Sequence, residues 1–331
     1  MLRPLANVER LTRLPEYARV DRLQFWSMLI TLILLVTTFG AALLTTARPV
    51  GFSSANRNFE ALHPEDIMLC VGEPVTDPTT AGFLNYAAQQ LKTFDTQRIG
   101  LNSPSLRVVP LTRDYGYAAD QFSRYAHLTE LQHDLDTNKQ LPGPQADELR
   151  AGINGFSRQV TYQDYARSVQ DILALCMTGF PSFEDKSTHR RSLIYLGYSS
   201  IRSPDEARPS LFSDQQIKDM ATAAGVQVNV ITRSDVVNST PKANDALASI
   251  AATTGGRFAV YNPAGTAANI SKNTDPTLAA LLDKIRANPP NVVLPSGTII
   301  TRRSWDYPNV PLITSLIVAS LLCVSLAVLR R

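Results

Sequence analysis

The stretch IMLCVGEPVTDPTT, residues 67–80, decides how the chain is read. Residues 67–71 are wholly apolar, and at Gly72 the run gives way to Gly, Pro, Thr and Asp. A short apolar run without alternation suits a strand buried on both faces, as in the middle of a parallel sheet. In an open α/β sheet, ligands sit at the loop that leaves the C-terminal end of such a strand. The residues after Val71 are therefore the first place to look for chemistry.

Outward from there, strand and helix patterns alternate. Phe83, Leu84, Ala87, Ala88 and Leu91 recur at helical spacing over residues 79–94. Residues 98–101 and 105–110 flank Asn102-Ser103-Pro104 and read as a hairpin. Further strands are expected at 192–197, 226–231 and 257–261. Helices are expected at 121–135, 162–177, 213–225, 241–254 and 275–287. Ser213 would cap its helix and Gly225 would stop it. The fold class is thus α/β, a mainly parallel sheet with helices on both faces and an antiparallel edge hairpin. Residues 138–157, with Pro142, Gly143, Pro144, Gly152 and Gly155, read as a loop with at most one helical turn and as the segment best placed for partner contacts.

Two uncharged runs flank this region. Residues 25–47 carry no charge and follow Arg3, Arg10, Arg13, Arg19 and Arg22. About 20 apolar residues cross a hydrocarbon core of about 30 Å, and Phe25 and Trp26 stand where aromatic rings favour the interface. A cleavable signal peptide has a shorter apolar core, so an uncleaved anchor is expected. Residues 307–329 form the second run, before Arg330-Arg331. Arginines at both ends predict cytoplasmic termini with the intervening chain outside the cytoplasm. The organisation is a basic leader (1–24), a span (25–47), a linker (48–64), the α/β domain (65–290), a juxtamembrane segment (291–306) and a second span (307–329).

Several classes of function are disfavoured. A net charge of +3 without a basic stripe gives no nucleic-acid footprint. Cys70, Cys176 and Cys323 fit no zinc pattern and read as small buried hydrophobes; a Cys70–Cys176 bridge stays open for a domain facing an oxidising compartment. His63, His127, His133 and His189 occupy unrelated positions, and no phosphate loop, zinc-protease helix or nucleophile elbow occurs. No enzyme activity and no cofactor are expected. Arg158, Arg167, Arg190 and Arg191 read as solvated charges.

Four pieces, in order, carry a family resemblance: RIGLNSPSLRVVPLTRDY (98–115), RRSLIYLGYSS (190–200), GVQVNVITR (225–233) and SIAATTGGRFAVYN (249–262). Together they resemble a von Willebrand factor type A domain of the bacterial, membrane-anchored Bat-like kind. The resemblance implies a Rossmann-like fold and a divalent-cation site. That site is built from Asp-x-Ser-x-Ser after the first strand, a Thr from a middle loop, and an Asp after the fourth strand. Hard cations want such oxygen ligands.

On this chain the first Asp falls at Gly72 and the serines at Pro74 and Thr76. The middle Thr falls at Thr161 and the second Asp at Tyr198. Both charged ligands are missing, so a degenerate, metal-free crevice is expected, with Tyr198 as a candidate plug. Asp77 is the one residue that could rebuild a ligand set, while Glu73 should point away because side chains alternate along a strand. The resemblance implies a protein–protein interaction module of a cell-envelope complex, with a MoxR-type ATPase as a partner by analogy. The alternative is a metal-dependent adhesion or ligand-binding protein with a rearranged site.

Overall fold

β1 (Glu65–Gly72) lies at the middle of a six-stranded sheet. The other strands are β2 (Arg98–Asn102), β3 (Arg107–Thr112), β4 (Arg190–Gly197), β5 (Val226–Arg233) and β6 (Phe258–Tyr261), in the order β3-β2-β1-β4-β5-β6. All neighbours run parallel except β2 and β3, the edge hairpin expected from the Asn-Ser-Pro turn. These are features of a computed structural model that describes residues 15–46, 61–137, 140–158, 166–181, 189–201, 209–235, 240–263, 275–293, 299–300 and 309–329.

The apolar run of β1 divides between two cores, because successive side chains point to opposite faces. Ile67, Leu69 and Val71 join one cluster and Met68 and Cys70 the other. The first cluster is covered by α2 (Pro78–Gln90), α3 (Tyr115–Asp136), α4 (Gly143–Ser157) and α8 (Pro276–Arg286). The second is covered by α5 (Val169–Met177), α6 (Asp214–Ala224) and α7 (Pro241–Thr253). A strand buried on both sides has no polar face to show, which is why its sequence lacks alternation.

Helix ends follow local chemistry. Ser213 and Gln216 form a capping box on α6, and Gly225 closes that helix at φ 65°, where a side chain would be strained. Asp114 accepts the Tyr117 amide at 2.9 Å and starts α3 six residues before the expected position. α5 begins at Val169, capped by Ser168, rather than at residue 162.

Residues 143–157, expected as loop, are instead α4. Pro144 sits in its first turn, where a missing amide hydrogen costs nothing. Gly152 is there for packing: a Cβ would lie 2.5 Å from a methyl of the buried Leu128 on α3. Arg190 and Arg191, read from sequence as solvated, are each only 2% exposed. Arg190 donates to the His63 carbonyl at 2.9 Å, and Arg191 donates to the carbonyls of Ala224 and Pro181 at 2.9 and 3.0 Å. Backbone oxygens thus accept from both buried guanidinium groups.

Cys70 on β1 and Cys176 on α5 form a disulfide, with Cα atoms 6.0 Å apart. The reading of both as free thiols is corrected. They are 106 residues apart in sequence, and helix–sheet packing brings them together. The free thiol among the described residues is Cys323.

The chain divides into two units, residues 57–302 and the two ends, 1–56 with 303–331. The end unit holds α1 (Pro15–Thr46) and α9 (Asn309–Leu329). Asp21–Gly40 within α1 is long and apolar enough to cross a membrane, whereas the apolar part found in α9 is the shorter Ile313–Ala327. The two helices meet at Thr31 and Ser325, whose hydroxyls are 2.7 Å apart. Thr31 already donates to the Ser27 carbonyl, so Ser325 is the donor of this bond.

Candidate functional site

The strand order reverses direction between β1 and β4, so the crevice outside their C-terminal ends is the topological switch point. The loop following Gly72 opens there. What fills it is an ion-pair cluster built from the chain itself.

Arg233, the last residue of β5, sends its guanidinium into the crevice with 10% of its side chain exposed. It meets Asp235 through a two-pronged pair, Nε to Oδ1 at 2.9 Å and Nη2 to Oδ2 at 2.5 Å. Nη1 donates to Asp77 Oδ2 and, at 3.3 Å, to Glu73 Oε2. Burial works against the charge of Arg233. The Asp235 hydrogen bonds, then Glu73 and Asp77, outweigh it and hold the guanidinium protonated more firmly than usual. The same hydrogen bonds pull the Asp235 carboxyl below its ordinary range.

Glu73 behaves differently. Its side chain is fully enclosed. Burial first, and the negative charge of Asp77 second, push its carboxyl up to about 8. The Thr80 hydroxyl lies 3.0 Å from the Pro74 carbonyl and 3.1 Å from Glu73 Oε1. Thr80 is the donor in both contacts, and its bond to Glu73, like that from Arg233, draws the carboxyl down without offsetting the burial. Glu73 is then mostly a neutral acid near pH 7.

The consequence for stability has a definite sign. The folded state holds a proton on Glu73 between pH 4.5 and about 8 that the unfolded chain has released. Stability from this group is complete below pH 4.5 and declines as pH rises through that window, by an amount on the order of a few kcal/mol. Unfolding of a Glu73→Gln variant is expected to lack this slope, so wild type and variant should diverge between pH 5 and pH 8.5. Parallel profiles across that range would show that Glu73 is ionised throughout.

The positions mapped from the resemblance fall as follows. Gly72 ends β1 with no room for a side chain, since a Cβ would lie 2.2 Å from the Tyr195 hydroxyl. Pro74 is exposed and contributes only its backbone carbonyl, which accepts from the Asp77 amide at 3.1 Å. Thr76 is partly buried in the same turn. Thr161 lies outside the described residues.

Tyr198 is a lid beside the crevice more than its plug. Its ring centre is 5.8 Å from the Arg233 guanidinium carbon, and its carbonyl accepts the Tyr195 hydroxyl at 2.7 Å. Tyr195 is the plug. It is fully buried and lies over both Gly72 and its register partner Gly197. Burial, with Glu73 and Tyr198 nearby, pushes the phenol of Tyr195 well up.

Asp77, the residue that could rebuild a ligand set, has both carboxylate oxygens engaged within the chain. Its Oδ1 accepts the Thr79 amide at 2.8 Å and caps α2, while Oδ2 is taken by Arg233. Glu73, expected from strand alternation to point away from the site, instead enters the crevice and meets Arg233 and Thr80. Among the described residues no group of three or more His, Cys, Asp or Glu is arranged to hold a metal ion. Sequence reasoning missed Arg233 and Tyr195. Each had a signal: a lone cation ending the strand pattern VQVNVIT two residues before Asp235, and a phenol in a fully buried strand, which needs a partner for its hydroxyl.

No protein-family model and no curated protein matches the chain. Among solved structures, the pilus adhesin SpaC from Lactobacillus rhamnosus GG, in its open conformation, aligns at a TM-score of 0.33 and 10% identity. The match covers 67% of this chain and 30% of the adhesin, so this chain spans less than a third of that protein. A likeness at this level carries no functional argument.

Proposed function

We propose that the chain is a membrane-anchored, von Willebrand A-like protein–protein interaction module, a non-catalytic component of a cell-envelope complex. One observation carries the reading. Arg233 brings a built-in positive charge to the switch-point crevice, and Glu73, Asp77 and Asp235 are all bound to it. The guanidinium occupies the place between these acids that a bound cation would take, and each carboxyl already has a partner within the chain. The rival reading, a rearranged cation site around Asp77, would have to displace the guanidinium and uncap α2.

Calorimetric titration of the intact protein in detergent with Mg²⁺ or Mn²⁺ is expected to give no binding heat. Saturable binding that disappears in Asp77→Ala would overturn the proposal in favour of the metal-dependent one.

The anchoring part of the proposal is two spans, both termini in the cytoplasm and the α/β domain outside it. α9 has 21 residues, about 30 Å of helix at 1.5 Å per residue, enough to match the hydrocarbon core. The Thr31–Ser325 bond suits two helices packed within lipid, where hydroxyls seek each other. The Cys70–Cys176 disulfide supports an oxidising location for the domain. Asp147 on α4, with 76% of its side chain exposed, is a suitable reporter. Asp147→Cys is expected to react with an impermeant thiol reagent on whole cells. Labelling only after permeabilisation would place the domain in the cytoplasm.

A further inference from the structure

A second feature lies away from the crevice. Between α8, α2 and the sheet is a cavity of about 80 Å³. Its interior is formed by Ile67 of β1, Phe83 of α2, Ile99 of β2, Ile194 of β4 and Leu282 of α8. Protein cores are packed too closely to leave such a space without cost. Here it survives because Ala87 and Ser192 stand at its wall where larger side chains would close it.

The mouth is polar. Arg286, in the last turn of α8, lies there with its guanidinium carbon 4.8 Å from the centre of the Phe94 ring. Among the described residues it makes no ion pair. The nearest acid on its own helix, Asp283, accepts the Tyr86 hydroxyl at 2.6 Å. Glu65, which also lines the cavity, has an interaction partner of its own. Each acid near the mouth thus has a neighbour of its own, and Arg286 is left as a cation set on an aromatic face. A guanidinium set against an aromatic ring can still offer paired donors to a planar carboxylate.

We propose that this cavity binds a small amphipathic monocarboxylate, with its hydrocarbon tail among the apolar side chains and its carboxylate on Arg286. About 80 Å³ is roughly half the 150 Å³ of an apolar cavity that admits benzene. The buried part of the ligand is therefore a short aliphatic chain. The inference is independent of the reading of the crevice, because it uses a different end of the sheet.

Pentanoate and the uncharged 1-pentanol, titrated into the intact protein in a non-ionic detergent, test it by thermal unfolding and calorimetry. Pentanoate is expected to raise the unfolding temperature saturably at one site per chain, with 1-pentanol at least tenfold weaker. Arg286→Gln should erase that preference without altering the fold, and Ala87→Leu should fill the cavity and abolish both. Absence of saturable binding, equal affinity for acid and alcohol, or pentanoate binding unchanged in Arg286→Gln would each overturn the proposal. The last of these stands even if Ala87→Leu does not fold.

Discussion

Arg233→Met is expected to lower the unfolding free energy by about 3 kcal/mol at neutral pH, the low end for breaking a buried ion pair by removing one partner. Methionine keeps most of the apolar stem, so the loss reports charge more than packing. The figure sits low because Asp235 has 31% of its side chain exposed and can turn to water. Asp77, at 17%, is held by the α2 cap and cannot. Adding Asp77→Asn should recover much of the loss, because asparagine still caps the helix while removing the stranded charge. Chemical unfolding of the two single variants and the double closes the cycle. If Arg233→Met alone matches wild type, the guanidinium contributes nothing to the crevice, and the proposal of a built-in cation falls with it.

That cluster also marks the limit of what could be read from sequence. The sheet was legible because burial on two faces leaves a direct trace. IMLCV and SLIYLG are almost continuously apolar and each became a central strand, whereas VQVNVI alternates and became one with Gln227 and Asn229 buried and hydrogen-bonded inside the domain. The edge hairpin was legible from its turn. The location of the site was legible too, since it follows from strand order and not from side chains. Its occupant was not. Glu73 and Arg233 are 160 residues apart and meet only because β1 and β5 both flank β4. No local pattern records that meeting.

Glycine misled in the other direction. Gly143, Gly152 and Gly155 suggested a loop, but Gly152 is small so that α4 can lie against Leu128. A glycine needed for close approach and one needed for a turn look alike until the partner is known. Arg190 and Arg191 misled for a related reason. Their acceptors are backbone carbonyls, which every sequence has and none displays.

Removing the Cys70–Cys176 bridge is expected to have the largest effect of any change to the domain. In the chain-entropy account, cross-linking a loop of roughly a hundred residues stabilises by about 4.7 kcal/mol, because the unfolded chain loses that much freedom. The bridge here spans 106 residues. Both cysteines are fully buried, Cys70 on the central strand and Cys176 on α5 above it, so the link ties the middle of the sheet to the helix that covers it. A Cys70→Ala/Cys176→Ala variant should lose 2–5 kcal/mol in denaturant unfolding, the usual range for a native disulfide. Wild type treated with reductant under unfolding conditions should match it, less the small packing change at two alanines. The same bond carries a claim about location. In a reducing cytoplasm the pair would be held as thiols, whereas outside it the bond would persist. Protein alkylated in denaturant at cell lysis, which exposes any thiol, should therefore carry the label on Cys323 and none on Cys70 or Cys176. Label on the buried pair would remove the main support for a domain displayed outside the cytoplasm, and the two-span arrangement would then have to be inverted.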